Sequence, residues 1–159
     1  MTLTNFEKVL EFMKAFGQNT YNEPQSELIQ GNPSLTKLRL DLIKEEVNEL
    51  EEAVKNNDFV EVIDALADIL YVVYGMGGAY GIQLDKAFKI VHESNMTKLC
   101  KTEEEAQQTV EWYIKNEIRY KEPAYRLSND NKYFIVFDKV TGKVLKSINY
   151  TPANLVDLS

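Results

Sequence analysis

The sequence is poor in the residues that build disulfides and zinc sites: it contains one cysteine, Cys100, and one histidine, His92. A single cysteine cannot form a disulfide within the chain, and zinc sites need several Cys or His ligands. Basic residues are also outnumbered, because 18 Lys and Arg face 25 Asp and Glu, for a net charge of −7. This balance argues against a partner such as nucleic acid, which is bound by neutralising phosphates. An anionic ligand would need a recruited cation.

Long apolar runs are missing as well. No stretch approaches the roughly 18 apolar residues of a transmembrane helix, so we expect no membrane-spanning segment and no membrane partner. Residues 1–14, MTLTNFEKVLEFMK, lack the charged start, apolar centre and small-residue cleavage site of a signal peptide. Together with the single cysteine, this favours a cytoplasmic location. The length predicts one domain, residues 1–159, with a genuine core.

Apolar residues at helical spacing dominate the first two thirds of the chain. They predict helices over about residues 4–16, 34–55, 58–80, 84–96 and 102–116. Two of these helices begin with the spacing of a capping box, at Thr4 with Glu7 and at Thr102 with Glu105. Residues 18–33 are rich in Asn, Pro and Gly and are predicted to form a loop.

The pattern changes after Pro123, where β-rich runs flank the segment DKVTGK. This arrangement predicts a β-hairpin within residues 131–150, because Thr-Gly supplies a turn residue that tolerates a positive φ. The predicted fold is therefore all-α, a bundle of four to five helices with a small C-terminal hairpin.

Three acids interrupt the most apolar segment, FVEVIDALADILYVVYG: Glu61, Asp64 and Asp68. At about 100° per residue, all three lie on one stripe of their helix. A buried carboxylate must be neutralised, paired or bound to a metal. The same helix has no Lys or Arg between Glu61 and Tyr80 that could pair with them.

The preceding helix carries a second acidic stripe, in EEVNELEE. Glu46 flanks its apolar face, and Glu49 and Glu45 lie progressively nearer to solvent. Two acidic stripes on neighbouring helices would repel each other unless a cation lay between them. Carboxylates without Cys or clustered His favour Mg²⁺, or Mn²⁺, as that cation. Because Mg²⁺ usually shares its ligand shell with phosphates, a nucleotide or pyrophosphate substrate is indicated.

Purely structural explanations of these acids stay open. Glu61 lies three residues after Asp58 and could complete a capping box, and EEVNELEE could be the solvated face of an amphipathic helix. Asp64 and Asp68 lie too deep in the apolar run for capping. Pairing with Arg39 or with a tyrosine would nevertheless also explain them.

The segments EEVNE and EVID resemble the EExxE and ExxD motifs of the MazG-like and phosphoribosyl-ATP pyrophosphohydrolase-like superfamily of all-α nucleoside triphosphate pyrophosphohydrolases. The likeness continues through LRLDLIKEEVNELEEAV, DALADILYVVYGMGGAYGI, VHESNMTKL and GKVLKSINYTPANL. It covers about residues 5–100 and 140–155. Residues 101–139 form an insertion relative to the shortest members, with no predicted catalytic role.

This resemblance implies an Mg²⁺-dependent enzyme that cleaves a (deoxy)nucleoside triphosphate to the monophosphate and pyrophosphate, in nucleotide-pool housecleaning or directed at dUTP. It also implies assembly of the helical core as a homodimer or a dimer of dimers. The metal ligands implied by the motifs are Glu45, Glu46, Glu49, Glu61 and Asp64. Asn95 and Lys98 match positions that contact nucleotide or phosphates.

The position of the ExxD aspartate admits two registers. In other branches this aspartate directly precedes an LLY-like triplet, which would select Asp68 and leave Ala65 in the glutamate position. Alanine cannot bind metal, so Glu61 and Asp64 are the predicted ligands and Asp68 a secondary contact. Glu46 is the predicted general base, because it lies nearest the apolar stripe, where desolvation should raise its pKa.

Two alternative functions remain compatible with the sequence. The same acids would serve a phosphoribosyl-ATP diphosphatase. A catalytically silent helical dimer that acts as a binding module is the other alternative.

Overall fold

The computed structural model describes residues 1–159 and contains six helices and three strands. The helices are α1 (Asn5–Ala15), α2 (Leu28–Gly31), α3 (Pro33–Lys55), α4 (Phe59–Tyr80), α5 (Leu84–Met96) and α6 (Glu103–Asn116). The strands are β1 (Pro123–Leu127), β2 (Phe134–Asp138) and β3 (Val144–Leu145), and a short 3₁₀ turn covers Val156–Leu158. None of the helices combines the length and the apolar character that crossing a bilayer would require.

The chain divides into two compact units. The first unit contains residues 1–88 and 155–159, and the second contains residues 89–154. All six acids of the two predicted stripes lie in the first unit, whereas the predicted hairpin and the insertion lie in the second.

Five of the helices confirm the sequence prediction, with ends that differ by at most one residue. At the start of α1, the Thr4 side chain accepts from the Glu7 N–H at 3.2 Å, and the Glu7 carboxylate accepts from the Thr4 N–H at 2.7 Å. This capping box is the predicted one. At α6 the box is only half formed, because Glu105 accepts from the N–H of Lys101 (2.8 Å) instead of that of Thr102.

The sixth helix, α2, was not predicted. It is a single turn within residues 18–33, too short to produce a helical period in the sequence. Asn32 ends this turn, and its side chain caps α3 by accepting from the Leu35 N–H at 3.2 Å. Pro33 then occupies the first position of α3, where its missing N–H costs nothing.

The core of the first unit lies where α1 crosses the C-terminal half of α4. Val9 and Met13 of α1 are buried there against Ala79. A Cβ added to Gly78 would lie 2.7 Å from Leu10 Cδ2 and 2.9 Å from Met13 Sδ, so the glycine allows the two helices to approach closely. The N-terminal half of α4 is different, because most of its large apolar side chains are exposed. Although the sequence of this segment is almost wholly apolar, its side chains are therefore not buried on all sides of the helix within one chain.

The second unit holds a three-stranded antiparallel sheet of order β1-β2-β3. The predicted hairpin is confirmed as β2 and β3, with Gly142 at φ +73° in the turn between them. Strand β1 was not predicted, and it pairs along the full length of β2. Asp138 is fully buried at the end of β2 and accepts from the Glu122 N–H (2.9 Å) and the Thr141 hydroxyl (2.8 Å). The fold is thus mostly helical with a small C-terminal sheet.

Candidate active site

The pairing of α3 with α4 fixes which acids of the two stripes meet. The turn at residues 56–58 joins the two helices, and Asn57 adopts φ +53° within it. A Cβ on Gly75 would lie 3.0 Å from Arg39 Nη1, so the end of the Arg39 side chain reaches α4 at Gly75, and both residues lie 18 positions from Asn57 along the chain. Glu46 lies seven residues after Arg39, and Asp68 lies seven residues before Gly75. In an antiparallel pair, Glu46 and Asp68 therefore share a level about 10.5 Å further along.

Electrostatics confirm that the acids of the two helices lie near one another. Burial raises the pKa of the Glu46 carboxyl, and the charges of Glu49, Asp68, Glu45 and Asp64 raise it further, in that order of size. One oxygen of Glu46, Oε2, is buried and has no hydrogen-bond partner. None of the ion pairs in the protein involves any of these acids. Their mutual repulsion is not offset by a side chain of the protein.

The acids differ in exposure. Glu46 and Asp68 are half-buried, whereas Glu45, Glu49, Glu61 and Asp64 are exposed. Glu61 is not among the charges that raise the pKa of Glu46, so the structure ranks Asp68 and Asp64 above it as neighbours of that carboxyl.

The capping explanation for Glu61 is not supported by the hydrogen bonds at the start of α4. The Asp58 side chain accepts from the N–H groups of Val60 and Glu61, each at 3.1 Å. A full box would also require the Glu61 carboxylate to accept from the Asp58 N–H. That N–H donates instead to the Ala53 carbonyl, at 3.0 Å. Asp58 therefore caps α4 alone.

The donor set of this site fits a hard divalent cation in chemistry and in charge. It consists of carboxylate oxygens without thiol or imidazole, and it includes the buried, unpartnered Oε2 of Glu46. Within the single chain, no group of three or more Asp, Glu, His or Cys side chains converges closely enough to hold a metal ion. The ligand set named from the sequence therefore stays a prediction.

The two predicted nucleotide contacts, Asn95 and Lys98, lie together in the second unit. Lys98 Nζ donates to Asn95 Oδ1 at 2.8 Å and lies 5.9 Å from the centre of the Tyr150 ring. The Lys98 ammonium is thus held at the end of α5 by one amide and one aromatic face. Contact of this pair with phosphates stays a prediction.

Sequence reasoning missed the environment of Arg39. It considered Arg39 only as a partner for the acids of α4, and the structure shows no ion pair there. The side chain is 8% exposed, and Nη2 donates to Gln18 Oε1 at 3.2 Å. Its Nε is buried without a partner, and burial lowers the pKa of the guanidinium. The signal in the sequence was the spacing of seven residues that places Arg39 and Glu46 on one face of α3.

Comparison with known proteins gives two matches. A family model described as phosphoribosyl-ATP pyrophosphohydrolase matches residues 9–95, which is more than half of the chain and includes all of α3 and α4. The uncharacterized protein L479 of Acanthamoeba polyphaga mimivirus is 30% identical, over 98% of this chain and 95% of that protein. The family match confirms the resemblance drawn from the acidic motifs.

Proposed function

Because the chain belongs to the phosphoribosyl-ATP pyrophosphohydrolase family, whose members are described as pyrophosphohydrolases, we propose that it hydrolyses nucleoside triphosphates with the help of Mg²⁺. The substrate is a (deoxy)nucleoside triphosphate, and the products are the monophosphate and pyrophosphate. One observation carries the proposal: the buried, unpartnered Oε2 of Glu46 lies among the charges of four further carboxylates. A group of acids without a protein cation is the environment that a divalent ion stabilises.

Glu45, Glu49, Asp64 and Asp68 would hold Mg²⁺, and Mn²⁺ would suit the same oxygens. We rank Asp68 above Glu61 in this role, because Asp68 acts on the Glu46 carboxyl and Glu61 does not. When bound, the ion neutralises charge on the phosphates and on the leaving pyrophosphate. The carboxylates themselves orient the ion from two rigid helices, α3 and α4.

Glu46 is the proposed general base. Its raised pKa brings the carboxylate closer to a value at which it can take a proton from an attacking water near neutral pH. Its place within the long helix α3 keeps the accepting oxygen in a fixed position. No hydrogen-bond donor of the protein occupies the Oε2 atom of this carboxylate.

A second copy of the chain is the proposed partner of α4. Phe59, Ile63, Leu66 and Leu70 follow one another at helical spacing and are 75%, 56%, 49% and 54% exposed. Such a stripe of large apolar side chains costs free energy in water. A homodimer, or a dimer of dimers, would cover it. Molar mass from light scattering across a dilution series measures this assembly, and a monomer at every concentration would contradict it.

The second candidate function is hydrolysis of phosphoribosyl-ATP. The name of the matching family, phosphoribosyl-ATP pyrophosphohydrolase, favours it, and the same acids would serve the reaction. A catalytically silent dimer is the third outcome, in which neither substrate type turns over.

Pyrophosphate release from a panel of ribo- and deoxynucleoside triphosphates and from phosphoribosyl-ATP separates these functions. Each reaction is run with Mg²⁺ and with EDTA. We expect Glu46→Gln to lower kcat by about 10²- to 10⁴-fold, the usual contribution of a general base. Glu51→Gln is the matched control, because Glu51 is an exposed acid of α3 that does not act on Glu46. Full activity in Glu46→Gln and Glu49→Gln, or activity in EDTA, would contradict the proposal.

A further inference from the structure

A cavity of about 410 Å³ lies beside the N-terminal half of α3, and the buried Arg39 lines it. No carboxylate forms an ion pair with this guanidinium, and its Nε has no hydrogen-bond acceptor. A cation removed from water without a counter-charge or a full set of acceptors is costly. Arg39, which lines the cavity, therefore has a donor group that the protein itself leaves unsatisfied.

Two amide side chains of the same cavity add further donors. Arginine can only donate, so Gln18 must turn its carbonyl oxygen towards Nη2, at 3.2 Å, which leaves its NH₂ group unused. Asn32 must likewise turn its oxygen to the Leu35 N–H that it caps, at 3.2 Å, and its NH₂ group is left over as well. Arg39, Gln18 and Asn32 therefore offer unused donors, beside Asn19 and Tyr21, whose side chains can both donate and accept. A ligand with acceptor atoms matches the three residues with unused donors.

The rest of the lining is apolar. Leu35, Leu38 and Leu42 of α3 face the cavity, and Leu38 is half exposed. A flat, weakly polar ring fits against such side chains while its edge accepts hydrogen bonds from the donors. A phosphate could accept hydrogen bonds from the donors, but it would make no favourable apolar contact with the leucine side chains.

The cavity and Glu46 lie along the same face of α3. Arg39 precedes Glu46 by seven residues on the same face of α3, which corresponds to about 10.5 Å along the helix. A nucleotide whose phosphates lie at the acids can therefore extend its base to Arg39.

We propose that this cavity binds the base of the nucleotide and selects the carbonyl bases, which carry a carbonyl oxygen at O4 (uracil and thymine) or O6 (guanine), over cytosine and adenine, which carry an amino group at the equivalent position. The preference among substrates in turnover rests on the proposed function, whereas the binding of the base in the cavity does not. Cytosine and adenine present an amino group that would meet the donors of Gln18 and Arg39. When an amino group of the base faces a donor of the protein, neither has an acceptor, and this disfavours the binding of cytosine and adenine.

The discriminating variant is Gln18→Glu. The new carboxylate would still accept from Arg39, but an oxygen would replace the NH₂ group that donates into the cavity. Gln18 is exposed, so the variant is expected to fold. Gln30→Glu is the matched control, because it makes the same chemical change at an exposed residue of α2 that does not line the cavity.

The first measurement is kcat/KM for dUTP, dTTP, dGTP, dCTP and dATP by pyrophosphate release with Mg²⁺. We expect the wild type and Gln30→Glu to prefer the carbonyl bases by about tenfold or more, and Gln18→Glu to lose at least about fivefold of that preference, the equivalent of one hydrogen bond. A wild type without this preference, or an unchanged ratio in Gln18→Glu, would overturn the inference.

The second measurement is calorimetric binding of dUMP, dGMP, dCMP and dAMP in EDTA, which needs no turnover. If no triphosphate is hydrolysed, the proposed reaction fails, and this measurement alone decides the cavity. Tighter binding of dUMP and dGMP that weakens selectively in Gln18→Glu supports the inference. Equal binding of all four monophosphates contradicts it.

Discussion

The substitution Gly81→Ala tests how closely residues 18–33 lie against the end of α4. Gly81 caps that helix at φ +67°, and a Cβ there would lie 2.0 Å from the Glu23 carbonyl oxygen. Two backbone hydrogen bonds join the segment to the end of α4, from the Tyr21 N–H to the Gly78 carbonyl (3.2 Å) and from the Gln25 N–H to the Tyr80 carbonyl (2.8 Å). The overlap is with backbone, so no side-chain rotation can relieve it.

The expected loss of stability has two parts. Alanine in the left-handed region costs about 1–2 kcal/mol relative to glycine. Forcing a methyl group into an occupied space adds about 1–3 kcal/mol. Gly17 isolates the first part, because it ends α1 at φ +70° and an added Cβ would meet nothing within 4 Å. We therefore expect Gly81→Ala to be less stable than Gly17→Ala by about 1–3 kcal/mol.

Urea unfolding of the two variants and the wild type, followed by far-ultraviolet circular dichroism, measures this difference. Both substitutions lie in the first unit, so the same helices report on each of them. Equal slopes with a lower midpoint for Gly81→Ala would fit the expected loss. Equal midpoints for the two variants would refute the close approach of Glu23 to the end of α4.

Further predictions concern the acids. In EDTA, the raised pKa of Glu46 means that its contribution to stability is full below the ordinary glutamate pKa and is lost as the pH rises through the raised value. The Tm of the wild type should therefore fall relative to that of Glu46→Gln as the pH rises above the ordinary glutamate pKa, and parallel Tm curves would contradict this. Mg²⁺ should raise the Tm of the EDTA-stripped wild type more than that of Asp68→Asn, and equal shifts would argue against a role of Asp68 at the metal. Asp68→Asn should reduce pyrophosphate release by at least about tenfold more than Glu61→Gln, and the reverse order would restore Glu61 as the ligand. The hydrogen bond from the Glu122 N–H lowers the pKa of Asp138, so its stabilising contribution is present above the ordinary aspartate pKa and is lost as the pH falls through the lowered value. The Tm of Asp138→Asn should therefore lie below that of the wild type at pH 7, and this gap should narrow at pH 3; a constant gap would contradict the assignment.

The helices could be predicted because their signals are local. The capping box of Thr4 and Glu7 and the apolar period of α3 each lie within a few residues of the structure that they specify. Helix α2 and strand β1 could not be predicted in this way. The first is a single turn, and the second depends on pairing with β2, for which a short segment that starts with Pro123 gives little local signal.

For the acids too, the local features could be predicted from the sequence and the contacts between helices could not. Helical angles correctly place Glu46 at the edge of the apolar stripe, but they do not determine the axial register of α3 against α4. That register is seen in the close approach of Arg39 Nη1 to Gly75, which lies outside both acidic motifs. The preference for Glu61 over Asp68 rested on motif spacing and on Ala65, which cannot bind metal in the alternative register. The structure instead places Asp68 at the level of Glu46, although which of them binds metal stays a prediction.

The spacing between Arg39 and Glu46 has a consequence for how this chain can change over evolutionary time. Side chains between them on the solvent side of α3 can vary, since they only need to maintain a helix. A one-residue insertion or deletion there would rotate Glu46 by about 100° relative to Arg39 and turn it away from α4. The loop at residues 18–33 has no such periodic constraint over most of its length. Relatives of this protein should therefore tolerate length changes in that loop while keeping seven residues between the arginine and the glutamate.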